Sequence, residues 1–432
     1  MRAGSPPKLV VSTPSGILSR FPFLLSRLGV LLVAAFLPVL PGFSQQERTA
    51  QAPYAGINRG AVDYHGPGRN SAHDLTGPEI KIGLVVPLQG PRQAEGEALI
   101  QAATLALEDE AAHSLPDSFR LVLAPRDETG PWGRASNRIV DLVLEDHALA
   151  IVTSTSGVTA HLAEQVGNRL GVPILTLASD SGTTQTNVPW IFRLGPDDAA
   201  QAEPFAKGIY VVRHLTRVLL VTEDDHDGRV GGEAFVKAAR RLGGRAPEQV
   251  QINPARPELQ TTIGQLNTVE PEAVVIWTSS HLSARLIEAF QQAKPAVPIY
   301  LCNKGVPAAG RGTSGPGAAV DQHQDAQGAE QHSSAPTAGV WILVPRQPAK
   351  SDPKRDFEKR YRERTGNAPY LVALQAYDAV RLIAAALRQS GPNRARLRDR
   401  LAAVQGFQGI SGIISFDHAG NDVAGATLMR LD

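Results

Sequence analysis

From Glu79 onward, short apolar runs rich in β-branched residues alternate with longer amphipathic stretches. The runs IKIGLVV, RLVLAP, LAIVTS and VPILTLA are separated by segments of helical period at Gly96 to His113, Arg134 to Glu145 and Thr159 to Leu170. Apolar runs without polar alternation predict strands buried on both faces, and intervening helices predict a parallel sheet wound on both sides. The rhythm then repeats. Helices from Ala199, Val230, Pro257 and Ser283 separate the runs RVLLVTE, EQVQIN, AVVIWTS and PIYLC. Two successive sets predict two Rossmann-like α/β lobes with parallel sheets, since one sheet with so many strands would be unusual.

The pattern breaks at residues 306–338, which hold many Gly, Ala, Ser, Pro and Gln and almost no large apolar residue. This composition predicts a disordered surface insertion. Order resumes with the run GVWILVP, then helices over PKRDFEKRYRERTG, PYLVALQAYDAVRLIAAALRQSG and from Asn393. A closing hairpin is expected in GIISFDHAGNDVAGATLMRL, turning at Asp417 to Asn421.

Upstream, Arg20 and Arg27 precede LGVLLVAAFLPVL, followed by the small residues Gly42 and Ser44. An apolar run of about a dozen residues is shorter than the roughly 18 that a membrane span needs. Residues 1–44 are therefore expected to be a cleaved signal peptide, with an uncleaved anchor as the alternative. With no cysteine near the cleavage region, a lipid-anchored form is not expected. Residues 45–78 lack apolar periodicity and are expected to form a flexible leader. A secreted or periplasmic location follows from this reading.

Charge and chemistry narrow the function. With 43 basic and 42 acidic residues the chain carries a formal charge of +1, which offers no field to nucleic acid or an anionic membrane. A single cysteine, Cys302, precludes an internal disulfide or a Cys-rich metal site. The G-x-S-x-G, H-E-x-x-H and G-x-x-x-x-G-K-[ST] patterns are absent. Gly310, Gly312 and Gly315 have G-x-G-x-x-G spacing but neither the preceding strand nor the following helix that a dinucleotide site requires. The acidic turn Glu223 to Gly228 resembles the start of a calcium loop, yet its closing position falls on Ala234, so a solvated turn is expected. His161 and Glu164 share a helix face, but two ligands are too few for a metal, and a surface hydrogen-bonded pair is expected. Cys302 ends a buried strand and is expected to behave as a small apolar residue.

In open parallel sheets ligands sit outside the carboxyl ends of the strands. The residues there are Gln89 to Glu95 (with Arg92), Asp127, Ser154 to Gly157, Ala178 to Asp180 (with Ser179), Asp224 to Asp227, Thr278 to Ser280 (with Ser279), and Asn303 to Lys304. A helix starts directly behind TSTSG, where free N-H groups attract an anion, or where Ser154 to Ser156 merely cap the helix.

Over Glu79 to Leu431 the chain resembles the extracytoplasmic solute-binding proteins of ABC importers, in the leucine/isoleucine/valine-binding group. The resemblance rests on the order and spacing of IKIGLVVPLQGP, LAIVTSTSG, GVPILTLASD, PWIFRLGPDD, RVLLVTEDDHDGRVGGEAF, EAVVIWTSS, QAYDAV and FQGISGIISFD. It implies two lobes, 79–197 plus 345–405 and 198–344 plus 406–432, crossed three times by the chain and closing on a small solute. It also implies a membrane permease as partner, a monomer, no cofactor, no metal and no catalysis. A ligand sensor of the same fold and a two-lobed α/β enzyme are the alternatives.

Amino-acid binders of the group hold the ligand carboxylate with a Ser matched by Ser156 and Gly157 and a Thr matched by Asp180. They cover the ligand with a Tyr matched by Asp227 and neutralise its ammonium with an acid matched by Lys304. The resemblance therefore places Arg92, Glu95, Ser156, Gly157, Ala178, Ser179, Asp180, Asp227, Ser279 and Lys304 around the ligand. A lysine beside an ammonium exchanges attraction for repulsion, a swing of several kcal/mol at an effective dielectric near 20. An organic acid, or a ligand with an extra acidic group, is expected instead. Lys304 and Arg92 would bind it, and Asp180 and Asp227 would accept from hydroxyls or pair with those cations.

Overall fold

The computed structural model describes residues 64, 66–70, 78–111, 113, 119–131, 133–307, 339–348 and 352–431. The expected signal peptide, most of the leader and residues 308–338 of the insertion, including the three spaced glycines, lie outside them.

Five strands, β1 (Glu79–Val86), β2 (Arg120–Asp127), β3 (Ala150–Thr153), β4 (Ile174–Thr176) and β5 (Ile191–Arg193), make a parallel sheet in the order β2-β1-β3-β4-β5. The helices α1 (Gln93–Ala111), α2 (Arg134–Leu144), α3 (Gly157–Leu170) and α4 (Gly182–Gln185) connect them. The chain then builds β6 (Val218–Glu223), β7 (Glu248–Ile252), β8 (Ala273–Trp277), β9 (Ile299–Leu301) and β10 (Val340–Pro345). Helices α5 (Asp198–Ala206), α6 (His226–Arg241), α7 (Leu259–Val269) and α8 (Ser280–Ala293) alternate with these strands. After them come α9 (Asp352–Thr365), α10 (Leu371–Ser390) and α11 (Arg394–Ala402), the short ribbon of β11 (Phe407–Gln408) and β12 (Ile413–Ile414), and β13 (Ala426–Leu431). The second sheet runs β13-β10-β9-β8-β6-β7, parallel except at β13.

Sequence explains the layering. Every residue of β3, β4, β6, β8 and β9 is buried, as strands covered on both faces require. One face of the first sheet packs against α1, α9, α10 and α11, the other against α2 and α3. The second sheet is covered by α5 and α6 on one face and α7 and α8 on the other. Close approach of α6 to β8 depends on Gly231, where an added Cβ would lie 1.9 Å from the Trp277 indole nitrogen.

Four expectations need correction. The closing hairpin does not form, because its halves serve different sheets. Around Asp417 to Asn421 only a single bridge, Phe416 to Asp422, remains, and Asn421 bridges to Arg193 of β5. β13 instead pairs antiparallel with β10, Val340 opposite Leu431. Residues 406–416, expected with the second lobe, sit with the first: Ile410, Ile414 and Phe416 join its core, and Asp378 of α10 accepts from the Ile410 and Ser411 amides at 2.8 and 2.7 Å. Val306, placed at the head of the insertion, is 2% exposed in the second core. Part of the expected free leader is docked. Arg69 pairs with Asp399 at 2.7 Å, and the rings of Tyr64 and Trp190 meet edge to face at 4.8 Å.

Candidate functional site

The carboxyl ends of strands from both sheets face one another, and two clusters of polar side chains meet there. The first is built on the loop after β1. Arg92 donates to both oxygens of Glu95, at 2.9 and 2.8 Å, and to the Thr155 hydroxyl at 2.9 Å. It also reaches Glu128 at 3.2 Å, whose second oxygen accepts from Ser154 at 2.6 Å. Burial works against both charges of the Arg92–Glu95 pair, but each holds the other ionised, with Arg92 raised and Glu95 lowered. Glu128 has less help: burial pushes it up to about 7 against the pull of Arg92.

Arg92 and Glu95 line a pocket of about 290 Å³ together with Tyr370 before α10 and with Ser279, His281 and Arg285 from the start of α8. Its walls thus come from segments of both sheets. Glu223, at the end of β6, fixes the α8 side by accepting from the Ser279 amide at 3.1 Å and its hydroxyl at 2.6 Å.

The second cluster surrounds the N-terminus of α3. Ser156 caps that helix, accepting from the Thr159 amide at 3.3 Å. The Gly157 amide donates at 3.0 Å to Asp227, from the first turn of α6. An added Cβ on Gly157 would come within 2.5 Å of that carboxylate oxygen. Lys304, 7% exposed, lies 3.7 Å from the other oxygen of Asp227. Burial opposes its charge, but Asp227, Asp225 and Glu223 hold its pKa above the ordinary lysine value. Asp180 receives the Nε2 atoms of His161 and His226 at 2.8 and 2.7 Å. Burial disfavours the Asp180 carboxylate, yet the two imidazoles and the Gly182 amide keep it well below the usual range. His161, hydrogen-bonded to Asp180 and then to Glu164, is raised to about 10.

The structure redistributes the expected roles. Asp227 pairs with Lys304, one of the arrangements expected of it, whereas Asp180 pairs with His161 and His226 rather than with Lys304 or Arg92. Ala178 is fully buried, and the Ser179 carbonyl accepts at 2.8 Å from the amide of Asp198, a buried acid that desolvation pushes up to about 6. Arg92, Glu95 and Ser279 line the pocket. The acidic turn is not simply solvated: Glu223 is buried and Asp225 caps α6. Glu164, expected on the surface beside His161, is 5% exposed. Cys302 is buried, its thiol donating to the Thr278 carbonyl at 3.6 Å and pushed up to about 12 by desolvation. Beside it, Asn303 is 6% exposed, and both polar atoms of its side chain lack a partner.

Sequence reasoning missed Glu128, Tyr370, His281 and Arg285, and marked His226 only as part of the stretch Asp224 to Asp227. Among the four carboxylates of EDDHDG nothing local assigns His226 a partner, and Glu128 stands one residue past Asp127. Tyr370 arrives from a distant segment and left no local signal.

A profile of periplasmic binding proteins matches residues 79–431. Among solved structures, the branched-chain amino acid transporter substrate binding protein LivJ from Streptococcus pneumoniae, in complex with isoleucine, superposes with a TM-score of 0.65 at 18% identity, covering 82% of this chain and 96% of that one. A solute binding protein of an ABC transporter from Rhodopseudomonas palustris, in complex with 3,4-dihydroxybenzoic acid, gives 0.68 at 16%, covering 82% and 94%. Another from R. palustris, in complex with benzoate, gives 0.68 at 18%, covering 82% and 93%. Glutamate receptor 1.2 of Arabidopsis thaliana is 27% identical over 153 residues, a match spanning 35% of this chain and only 17% of the receptor.

Proposed function

Because the chain belongs to the periplasmic binding protein family, we propose that it is an extracytoplasmic solute-binding protein, which captures a small organic anion between its two sheets and delivers it to an ABC-type permease. The pocket walled from both sheets carries this reading, since a solute held there bridges the halves. In the lining Arg92 and Glu95 neutralise each other, with Arg92 also reaching Glu128, so Arg285 is the remaining full charge. A ligand carboxylate is favoured there and an ammonium is not. Tyr370, Pro91 and Pro307 add apolar surface suited to an aromatic or short aliphatic body. The benzoate and dihydroxybenzoate bound by similarly folded proteins support this class, and isoleucine in another supports an amino acid as the competing ligand. Residues 1–44 supply the export signal in this reading. The solute leaves unchanged, as binding without chemistry requires.

A thermal-shift screen tests the proposal, because a ligand at one hundred times its Kd stabilises the native state by about 2.7 kcal/mol. Benzoate-like acids and dicarboxylates should raise the Tm, leucine and isoleucine should do so less, and Arg285→Ala should weaken the response. Equal stabilisation by leucine, or none by any acid, would overturn it. The likeness to a plant receptor favours a second reading, a sensor passing occupancy to a membrane partner. Co-purification with a permease or with a signalling protein separates the two.

A further inference from the structure

We propose that His161, Asp180 and His226 form a site for one divalent transition-metal ion, placed across the cleft between the two sheets. His161 lies on α3, Asp180 follows β4, and His226 is the first residue of α6, so the set draws on both halves. One ligand atom from each converges with the others within 4.8 Å. The separations in sequence, 19 residues between His161 and Asp180 and 46 between Asp180 and His226, explain why local spacing conceals the set.

The three donor atoms converge; each Nε2 now hydrogen-bonds Asp180 Oδ2, and an ion entering the site replaces those two protons, which are released. Asp180 Oδ1 accepts from the Gly182 amide at 2.8 Å, which directs Oδ2 towards the two Nε2 atoms. Behind His161, its Nδ1 faces Glu164 Oε2 at 3.4 Å, the carboxylate-histidine arrangement that fixes a metal-binding tautomer. Glu164 is buried and held in turn by the Thr186 hydroxyl. Metal bonds of about 2.0 to 2.2 Å require ligand atoms roughly 3.4 Å apart in a tetrahedron. The Nε2 to Oδ2 distances of 2.8 and 2.7 Å would open by about 0.6 to 0.7 Å, which side chains 31% and 36% exposed can accommodate. Two imidazoles and one carboxylate favour Zn²⁺, Ni²⁺ or Cu²⁺ over Mg²⁺ or Ca²⁺, which prefer an all-oxygen shell. A fourth position remains for water or a solute oxygen. This site stands independently of the anion pocket, because it uses none of that pocket's residues.

Calorimetric titration of the full chain with Zn²⁺ decides it. The wild type should take up one ion, Mg²⁺ should give no saturable signal, and Glu164→Gln should weaken Zn²⁺ by about 10- to 100-fold as loss of an outer partner does. His226→Gln and His161→Gln, each removing a direct ligand, should weaken it further. Both histidines are partly exposed, and circular dichroism of the metal-free variants establishes that they fold. Absence of saturable Zn²⁺ uptake by the wild type, or unchanged affinity in a folded His226→Gln protein, overturns the proposal.

Discussion

Lys304 and Asp227 approach to 3.7 Å with both side chains largely out of water. Breaking such a pair leaves an uncompensated charge, whereas replacing both members removes the problem along with the attraction. Lys304→Met should therefore cost about 3 kcal/mol of unfolding free energy by denaturant titration, and adding Asp227→Asn should recover part of it. No loss in the single variant would show that Asp227 finds water instead. Glu128 answers to pH. Its folded value near 7 lies above the ordinary 4.5, so its protonated form favours the fold. That contribution is complete below about 4.5 and disappears as pH rises through 7, a span worth up to about 3 kcal/mol at 1.36 kcal/mol per unit. Burial raises that value, Glu95 adds to the rise, and Arg92, Ser154 and Thr159 pull against it. Wild-type stability should fall relative to Glu128→Gln between pH 5 and 8, and parallel curves for the two proteins would refute the assignment. The pairing of Asp227 with Lys304 was among the sequence expectations, but the surroundings of Glu128 were not, because Arg92, Ser154 and Thr159 come from separate segments that only the fold makes neighbours.

Among the elements, α6 and β8 show what small residues do. Gly231→Ala would drive a methyl group into Trp277, whose buried indole donates to Asp198 at 3.2 Å. Helix and strand would have to separate, and overpacking of this kind costs about 1 to 3 kcal/mol. A fall in Tm with the near-ultraviolet signal of Trp277 altered is the expected result; an unchanged melt would mean that the helix slides freely. The same strands show where pattern reading succeeds and stops. AVVIW and VLLVTE announce themselves as buried strands because no polar residue interrupts their apolar core. ATLMRL announces a strand too, but alternation carries no record of its partner. Hence β13 was assigned to a hairpin, when its partner β10 lies across three helices.

For the whole molecule, two sheets and their helices were legible from apolar runs and their order, since burial on both faces leaves a local signature. Of the site, the ends of strands were legible and the pairings were not. Arg92, Ser279 and His226 stand at marked strand ends, while Tyr370, and the pairing of His226 with Asp180, become significant only when distant segments meet. The interleaving that hid these contacts also constrains synthesis. The first core joins β1 near residue 80 to α10 and α11 near residue 400, and the second gains its edge strand only when Leu431 reaches Val340. Neither half can finish its core while the ribosome is still translating the last third of the message. Long-range closure of this kind slows folding, so neither core is complete until nearly all of the chain has been made.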